Sequence, residues 1–296
     1  MQNLTKLINE AKRKSAGEQD ILNLIREYLQ VLILKAIYQS KYGTGLSFMG
    51  GTCLRICYDL KRFSEDLDFA LDRKIAGYSF CELNGIVNSF LKNTDFETDV
   101  KINESKVVQK SFIRVSNILH IFGLSPLKSQ KIHVKLEIDT RPVKVGKNEI
   151  ETFFVTKFNE MFPILKHTDD TMFAGKICAV LNRAYTKGRD FYDLLWYLNR
   201  KKSINFNYLN RAFKQAGLKK QFKNFDAVIT ELQKKIDHTK VDDILKDIGR
   251  FLEDHSEEAV LKKYPDAFAQ AVANYSIFTN SSNKNSVSVG PGVASG

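Results

Sequence analysis

Asp66 and Asp68 stand two residues apart in the strand-like run Glu65 to Leu71. Side chains alternate across a strand, so both carboxylates leave by one face while Leu67, Phe69 and Leu71 leave by the other. Two anions held side by side repel unless a cation sits between them. Their hard oxygens favour Mg2+ or Mn2+ in that place. Upstream, the apolar run Leu46 to Met49 reads as a strand. Gly50, Gly51 and Thr52 follow, and helical spacing sets in at Leu54, Ile56, Cys57 and Leu60. A turn entering a helix N-terminus presents backbone N–H groups to phosphate oxygens. Glycine suits it because a side chain would hold the phosphate off. Alone, a Gly-Gly pair is ordinarily a turn and Asp-x-Asp a solvated strand edge. Their order, with a helix between, describes a site that grips a nucleoside triphosphate (NTP) by its phosphates and by metal.

Other elements must hold these residues in place. Residues 1–17 read as a marginal helix. From Asp20 to about Tyr42 the pattern is strongly helical and, beyond Tyr28, apolar nearly all round, so this helix should lie between layers. Tyr78 to Leu91 reads as another helix. Strand-like runs follow at Phe96 to Ile102, Val107 to Phe122, Lys131 to Arg141 and Glu149 to Lys157, and Pro163 should break the chain. In His133 to Arg141, parity places Lys135, Glu137 and Asp139 on one face and Val134, Leu136 and Ile138 on the other. A solvated strand with surface ion pairs has the same pattern.

Thr168 with Asp169 and Asp170 looks like a helix start, and this helix should run to about Tyr185 with Lys176 and Arg183 on one face. Lys187-Gly188 reads as a turn. Arg189-Asp190 opens a helix in which Asp190 and Asp193 line one side and Leu194, Leu195, Trp196 and Leu198 form core. Helices are expected near 207–217, 221–237, 241–254 and 257–274, and the Ser/Asn/Gly-rich end reads as disordered.

The turn and helix followed by Arg62-x-Ser64-x-Asp66-x-Asp68 resemble the nucleotidyltransferase toxins of the AbiEii/AbiGii type, within the DNA-polymerase-beta-like superfamily. The stretch Ala174 to Leu198 resembles that family's Lys-plus-Arg-Asp-x-x-Asp-Leu segment, so the likeness spans about residues 45–200. The resemblance implies an α+β fold: a nucleotidyltransferase-like mixed sheet with flanking helices, plus a C-terminal helical bundle. The expected divisions are a catalytic domain over 1–165, a helical domain over 166–275 that completes the site, and a disordered tail over 276–296. Gly50, Gly51, Thr52, Arg62, Ser64, Lys176 and Arg189 would bind the nucleotide. Asp66 and Asp68 would hold the metals. A third carboxylate would complete the set and help deprotonate the attacking hydroxyl. Both Glu137 and Asp139 qualify, and the family pattern of a preceding lysine favours Glu137. Lys176 would neutralise charge on the leaving pyrophosphate, and Asp193 would orient Lys176 or Arg189. The family also implies a toxin of a type IV toxin–antitoxin or phage-defence pair, with a cognate antitoxin and transfer of a nucleotide to the tRNA 3' end.

Composition agrees with that class. The 296 residues are 43% apolar and 27% charged, as in a soluble globular protein, and the net charge of +11 suits a polyanionic partner such as tRNA or another RNA. No run approaches the roughly 18 apolar residues of a membrane span, and the opening MQNLTKLINEAKRK has no signal-peptide core, so cytoplasmic residence without membrane contact is expected. Cys53, Cys57, Cys81 and Cys178 read as reduced packing residues. Basic residues recur in the last third, among them Lys214, Lys219, Lys220, Lys234 and Lys235, on helices that could track a nucleic-acid backbone. Phe213, Phe222 and Phe225 read as core rather than base-stacking platforms. Two rivals remain. An antibiotic-type transferase acting on small hydroxyl compounds wants an acidic pocket, which a basic chain argues against. A nucleic-acid binder with a degenerate site is disfavoured by the intact Gly-Gly, Asp-x-Asp and lysine set.

Overall fold

The computed structural model describes residues 1–286, with side chains through Ile277. The chain forms two compact units, 1–168 together with 250–254, and 169–249 together with the chain from 255 onward.

The first unit carries α1 (Gln2–Arg13), α2 (Glu18–Tyr38), β1 (Leu46–Met49), α3 (Gly50–Tyr58), β2 (Asp66–Leu71), α4 (Phe80–Lys92), β3 (Thr98–Asn103), β4 (Val108–Val115), α5 (Ile118–Ile121), β5 (Ile132–Asp139), β6 (Ile150–Lys157) and β7 (Glu160–His167). Its strands form a seven-stranded mixed sheet in the order β3-β4-β5-β2-β1-β7-β6. β2 runs parallel to β5 and β1 parallel to β7, and the remaining pairs are antiparallel. Alternation decides which face is covered. Ile132, Val134, Leu136 and Ile138 of β5 are buried, as are Leu67 and Phe69 of β2. Each such side chain contributes about 1.5–3 kcal/mol when fully buried. Helix α2 packs against β5, β7, α1 and α4, which accounts for apolar residues nearly all round it.

Two expectations for this unit change. The run Val107 to Phe122 is not one strand. β4 stops at Val115, Asn117 adopts a left-handed φ of 65°, and Ile118–Ile121 forms a short helix with Ile118 and Leu119 buried. Asparagine tolerates that backbone region, and the turn sends the apolar residues into the core. Pro163 does not break the chain either. It lies inside β7 opposite Phe154, three positions before Lys166, where β7 meets β1. A proline costs no ladder bond where its nitrogen faces no neighbouring strand.

The second unit is helical: α6 (Asp169–Asn182), α7 (Gly188–Asn199), α8 (Phe206–Gln215), α9 (Phe225–Asp237), α10 (Val241–Ile248), α11 (Glu258–Leu261) and α12 (Tyr264–Ser286). Gly188 belongs to the first turn of α7 rather than to a loop. A Cβ there would lie 2.1 Å from the Ile244 carbonyl oxygen, so only glycine lets α7 and α10 approach so closely. The helix expected over 241–254 ends early. A 3-10 turn follows at Gly249–Phe251, and 250–254 join the first unit, where Phe63 N–H donates to the Phe251 carbonyl at 2.7 Å and Arg62 bridges to Leu252. Helix α12 continues through 276–286, where a disordered tail was expected. The rest of that expected tail, 287–296, lies outside the described residues.

Phe213 and Phe222 are buried and meet edge to face, and Phe225 stacks on Tyr275 with centroids 4.3 Å apart, so all three have partners within the protein. Trp196 is only half-buried, lying under Arg200, because its position turns away from the buried Leu194, Leu195 and Leu198. Cys81 is exposed rather than packed, while Cys53 is buried, and none of the four cysteines is in a disulfide. Among the described residues no helix is long and apolar enough to cross a membrane.

Candidate active site

The parallel ladder between β2 and β5 sets Asp66 beside Lys135, Asp68 beside Glu137 and Ala70 beside Asp139. Paired positions share a face, so Asp66, Asp68, Glu137 and Asp139 point to the same side of the sheet. Antiparallel β1 sets Met49 beside Asp68, which brings the Gly-Gly turn to the same end.

The motif braces itself. Gly50 has φ +81°, and a Cβ on it would lie 2.4 Å from Asp68 Oδ2 and 3.1 and 3.2 Å from Asp68 Cγ and Cβ. A Cβ on Gly51 would lie 2.4 Å from Arg62 Nη2. The Thr52 hydroxyl, fully buried, donates to the Asp66 carbonyl oxygen. The two glycines are therefore the places where the chain's own Asp68 and Arg62 come close to the backbone. Arg62 is 2% exposed, and its Nη1 donates to the Phe63 carbonyl at 3.0 Å. The Ser64 carbonyl accepts from Gln30 Nε2 at 2.9 Å. Gly50, Gly51 and Thr52 are the opening residues of α3, whose first-turn N–H groups have no partner inside the helix.

Glu137 receives Lys110 at 2.7 Å and Lys135 at 2.9 Å, and Lys135 Nζ lies 3.9 Å from Asp66. Burial alone would raise the pKa of Glu137, but the hydrogen bonds from Lys110 and Lys135 outweigh it and hold the carboxyl below its ordinary range. Burial would lower the pKa of Lys135, yet Glu137, Asp66 and Asp68 together hold it above the ordinary value. Asp139 Oδ1 accepts from the Arg141 N–H at 2.9 Å. Among the described residues no three His, Cys, Asp or Glu side chains converge as a ready metal cage. The half-buried Asp66 and Asp68, aimed to one side, offer the hard oxygen donors that a Mg2+ or Mn2+ ion takes.

In the second unit Lys176 Nζ contacts Asp190 Oδ1 at 2.6 Å and Asp193 Oδ2 at 2.8 Å. Arg183 Nε reaches Asp190 Oδ2 at 2.9 Å. Burial works against the charge on Asp190, but Lys176 and Arg183 prevail and bring its pKa to about 2. The Arg189 N–H donates to Asp247 Oδ2 at 3.1 Å, and its guanidinium lies 3.5 Å from the same carboxylate. Burial pushes the Lys187 ammonium down. Asp190 opposes that shift, while Arg189, Arg183 and Lys176 add to it. Such crowded cations would gain from an anionic ligand.

Sequence reasoning named Lys176, Asp193 and Arg189 but passed over Lys187 and Lys110. In the sequence Lys187 reads as turn, and its place in Lys187-Gly188-Arg189-Asp190 beside a helix start is the signal that points to it. Lys110 carried none, since its pairing with Glu137 follows from the β4–β5 register. Also missed was Arg55, buried on α3, whose guanidinium meets Glu27 at 2.9 Å, Glu253 at 2.6 Å and the Leu60 carbonyl at 2.8 Å, fixing α3 against α2.

A mixed sheet with a Gly-Gly-Thr turn and an Asp-x-Asp strand at one end is the architecture of a nucleotidyltransferase, and the chain is an enzyme of that class. A protein-family model described as "Nucleotidyl transferase AbiEii toxin, Type IV TA system" matches residues 32–274, and the chain belongs to that family. Among solved structures, a protein from H. pylori classed as a nucleotidyltransferase superposes with a TM-score of 0.55 at 21% identity, covering 85% of this chain and 96% of that one. JHP933 from Helicobacter pylori superposes with a TM-score of 0.51 at 21% identity, covering 88% and 97%. At that identity these structures speak for the fold alone. No curated protein matches the chain.

Proposed function

We propose that this enzyme transfers a nucleoside monophosphate from an NTP to the 3' end of a tRNA, blocking translation as a toxin that a cognate antitoxin restrains. The observation that carries the reading is the bracing of the Gly-Gly-Thr turn on Asp66 and Asp68, which makes turn and carboxylates one structural element. The acceptor's 3' hydroxyl oxygen bonds to the α-phosphorus, the bond to the β-phosphate oxygen breaks, and pyrophosphate leaves. The hydroxyl proton passes to a carboxylate, for which Glu137, opposite Asp68, and Asp139 beside it are the candidates. Asp66 and Asp68, with Glu137, would hold Mg2+ or Mn2+, which when bound supplies positive charge to the phosphates. The first-turn N–H groups of Gly50, Gly51 and Thr52 would meet phosphate oxygens. Arg62 supports that turn from beneath and Ser64 continues the motif. Lys176, Lys187 and Arg189 are the proposed phosphate-binding cations, with Asp193 positioning Lys176. Residence in the cytoplasm goes with a tRNA acceptor.

The test is incubation of the protein with labelled NTPs, Mg2+ and total tRNA, followed by mass analysis of the RNA ends. Label at the 3' end, lost in Asp66→Ala and Asp68→Ala variants that still fold, is expected. Absence of any labelled product from every NTP would sink the reading, and activity surviving in both variants would remove the metal assignment.

A further inference from the structure

Two cavities of the second unit meet at one loop. The first, about 730 Å3, is lined by Leu181 and Asn182 at the end of α6 and by Lys234, Lys235 and His238 at the end of α9. The second, about 570 Å3, is lined by Asn207, Arg211 and Lys214 of α8. Leu218, Lys219 and Lys220 line both, so the two cavities adjoin at this loop and are taken together as one basic groove. Six basic side chains face it, Arg211, Lys214, Lys219, Lys220, Lys234 and Lys235, against one acid, Glu231. Glu231 is shared between Lys220 and Lys234, and Lys235 donates to the Arg183 carbonyl at 2.9 Å. Lys214 and Lys219 are exposed and have no ion-pair partner among the described residues. Leu218, at the junction, is 41% exposed.

We infer that this groove binds the sugar–phosphate backbone of the RNA acceptor. The identity of the polyanion rests on the function proposed above, whereas the groove's charge and form do not. Like charges crowded along a surface trench are relieved by a ligand with repeated negative charges, and the counterions released add to affinity. Five of the six cations are lysines, which meet phosphates as mobile point charges without the planar fork of arginine, so the groove chiefly positions a strand and does not read its bases. The exposed Leu218 offers an apolar surface to a ribose or base, which inorganic phosphate would not use. A nucleic acid therefore fits better than a free anion. An acidic protein would match the charge but not the apolar surface at Leu218, and competition by polyglutamate tests that occupant.

Fluorescence anisotropy of the full chain with a labelled hairpin RNA bearing a single-stranded 3' tail, from about 50 to 200 mM KCl, reads affinity and its salt dependence. The double variant Lys214→Glu/Lys219→Glu should raise Kd on the order of tenfold. It should also flatten the slope of log K against log salt by about 1.4, for two phosphate contacts at ~0.7 each. Lys6→Glu/Lys14→Glu changes net charge equally, lies exposed on α1 and at the residue just after it, and should leave Kd within about twofold. Should the charge reversals unfold the protein, Lys214→Gln/Lys219→Gln serves in their place with a smaller loss in the same direction. Equal losses in the groove and control variants, or no loss in the groove variant, would overturn the inference. So would displacement of the RNA by polyglutamate at equal charge concentration. Incorporation of nucleotide is scored separately. A protein that binds RNA through this groove yet labels none refutes the proposed reaction and leaves the groove standing.

Discussion

Replacing Gly50 by alanine should separate chemistry from stability. A Cβ at this position would come within 2.4 Å of Asp68 Oδ2, whereas ordinary contact begins about 1 Å further out. Relief requires the carboxylate to turn, and Asp68 Cγ and Cβ, at 3.1 and 3.2 Å, must shift slightly as well. Asp68 Oδ2 must therefore swing away by about 1 Å while Cγ and Cβ give by a few tenths of an ångström, and a ~1 Å misplacement of a reacting group can cost on the order of 100-fold in rate. The left-handed φ of 81° adds about 1–2 kcal/mol of backbone strain for a residue with a Cβ. The expected result is a folded enzyme, weaker by that amount in urea unfolding, whose nucleotide incorporation is down about two orders of magnitude. Gly51→Ala is the comparison. Its Cβ would strike Arg62 Nη2 instead, so a buried guanidinium must shift and stability should suffer more than it does for Gly50. Gly50→Ala with incorporation within about threefold of the parent would refute the reasoning, since the ~1 Å swing of Asp68 Oδ2 would then be either absent or irrelevant.

Thr52→Val removes the hydroxyl that ties α3 to the Asp66 carbonyl while keeping its volume. A loss of about 1 kcal/mol by urea unfolding is expected, with a larger fractional loss of rate. Gly188→Ala should destabilise the second unit by several kcal/mol, because the 2.1 Å contact is with backbone, and calorimetry would show it. Asp190 should make the second unit acid-sensitive. Its pKa is depressed from the ordinary 3.8 to about 2, so its stabilisation is present above the unfolded value and lost as pH falls toward about 2. That difference corresponds to about 2 kcal/mol, and Asp190→Asn should abolish this part of the acid dependence in melts between pH 5 and pH 2. Lys176→Met should leave Asp190 and Asp193 short of a cation and weaken NTP binding, read by titration calorimetry, more than it weakens the affinity for RNA.

Local pattern determined much of this protein. Alternation in Asp66–Leu71 and Ile132–Asp139 settled which side chains share a face, because a strand's period of two leaves no freedom once one side is apolar. The Gly-Gly-Thr turn, the helix after it and most of the helices from 169 onward were legible because caps and apolar spacing act over a few residues. Tertiary structure decided the rest. Asp68 stands beside Glu137, and Glu137 beside Lys110, through a register between strands far apart in sequence, which no local signal specifies. That Pro163 lies within a strand depended on which neighbour β7 has along its length. The glycines make the same point from both sides. Their presence at 50, 51 and 188 was plain in the sequence, but the atoms they must not touch, Asp68, Arg62 and the Ile244 carbonyl, belong to other elements and meet them only when the chain has packed.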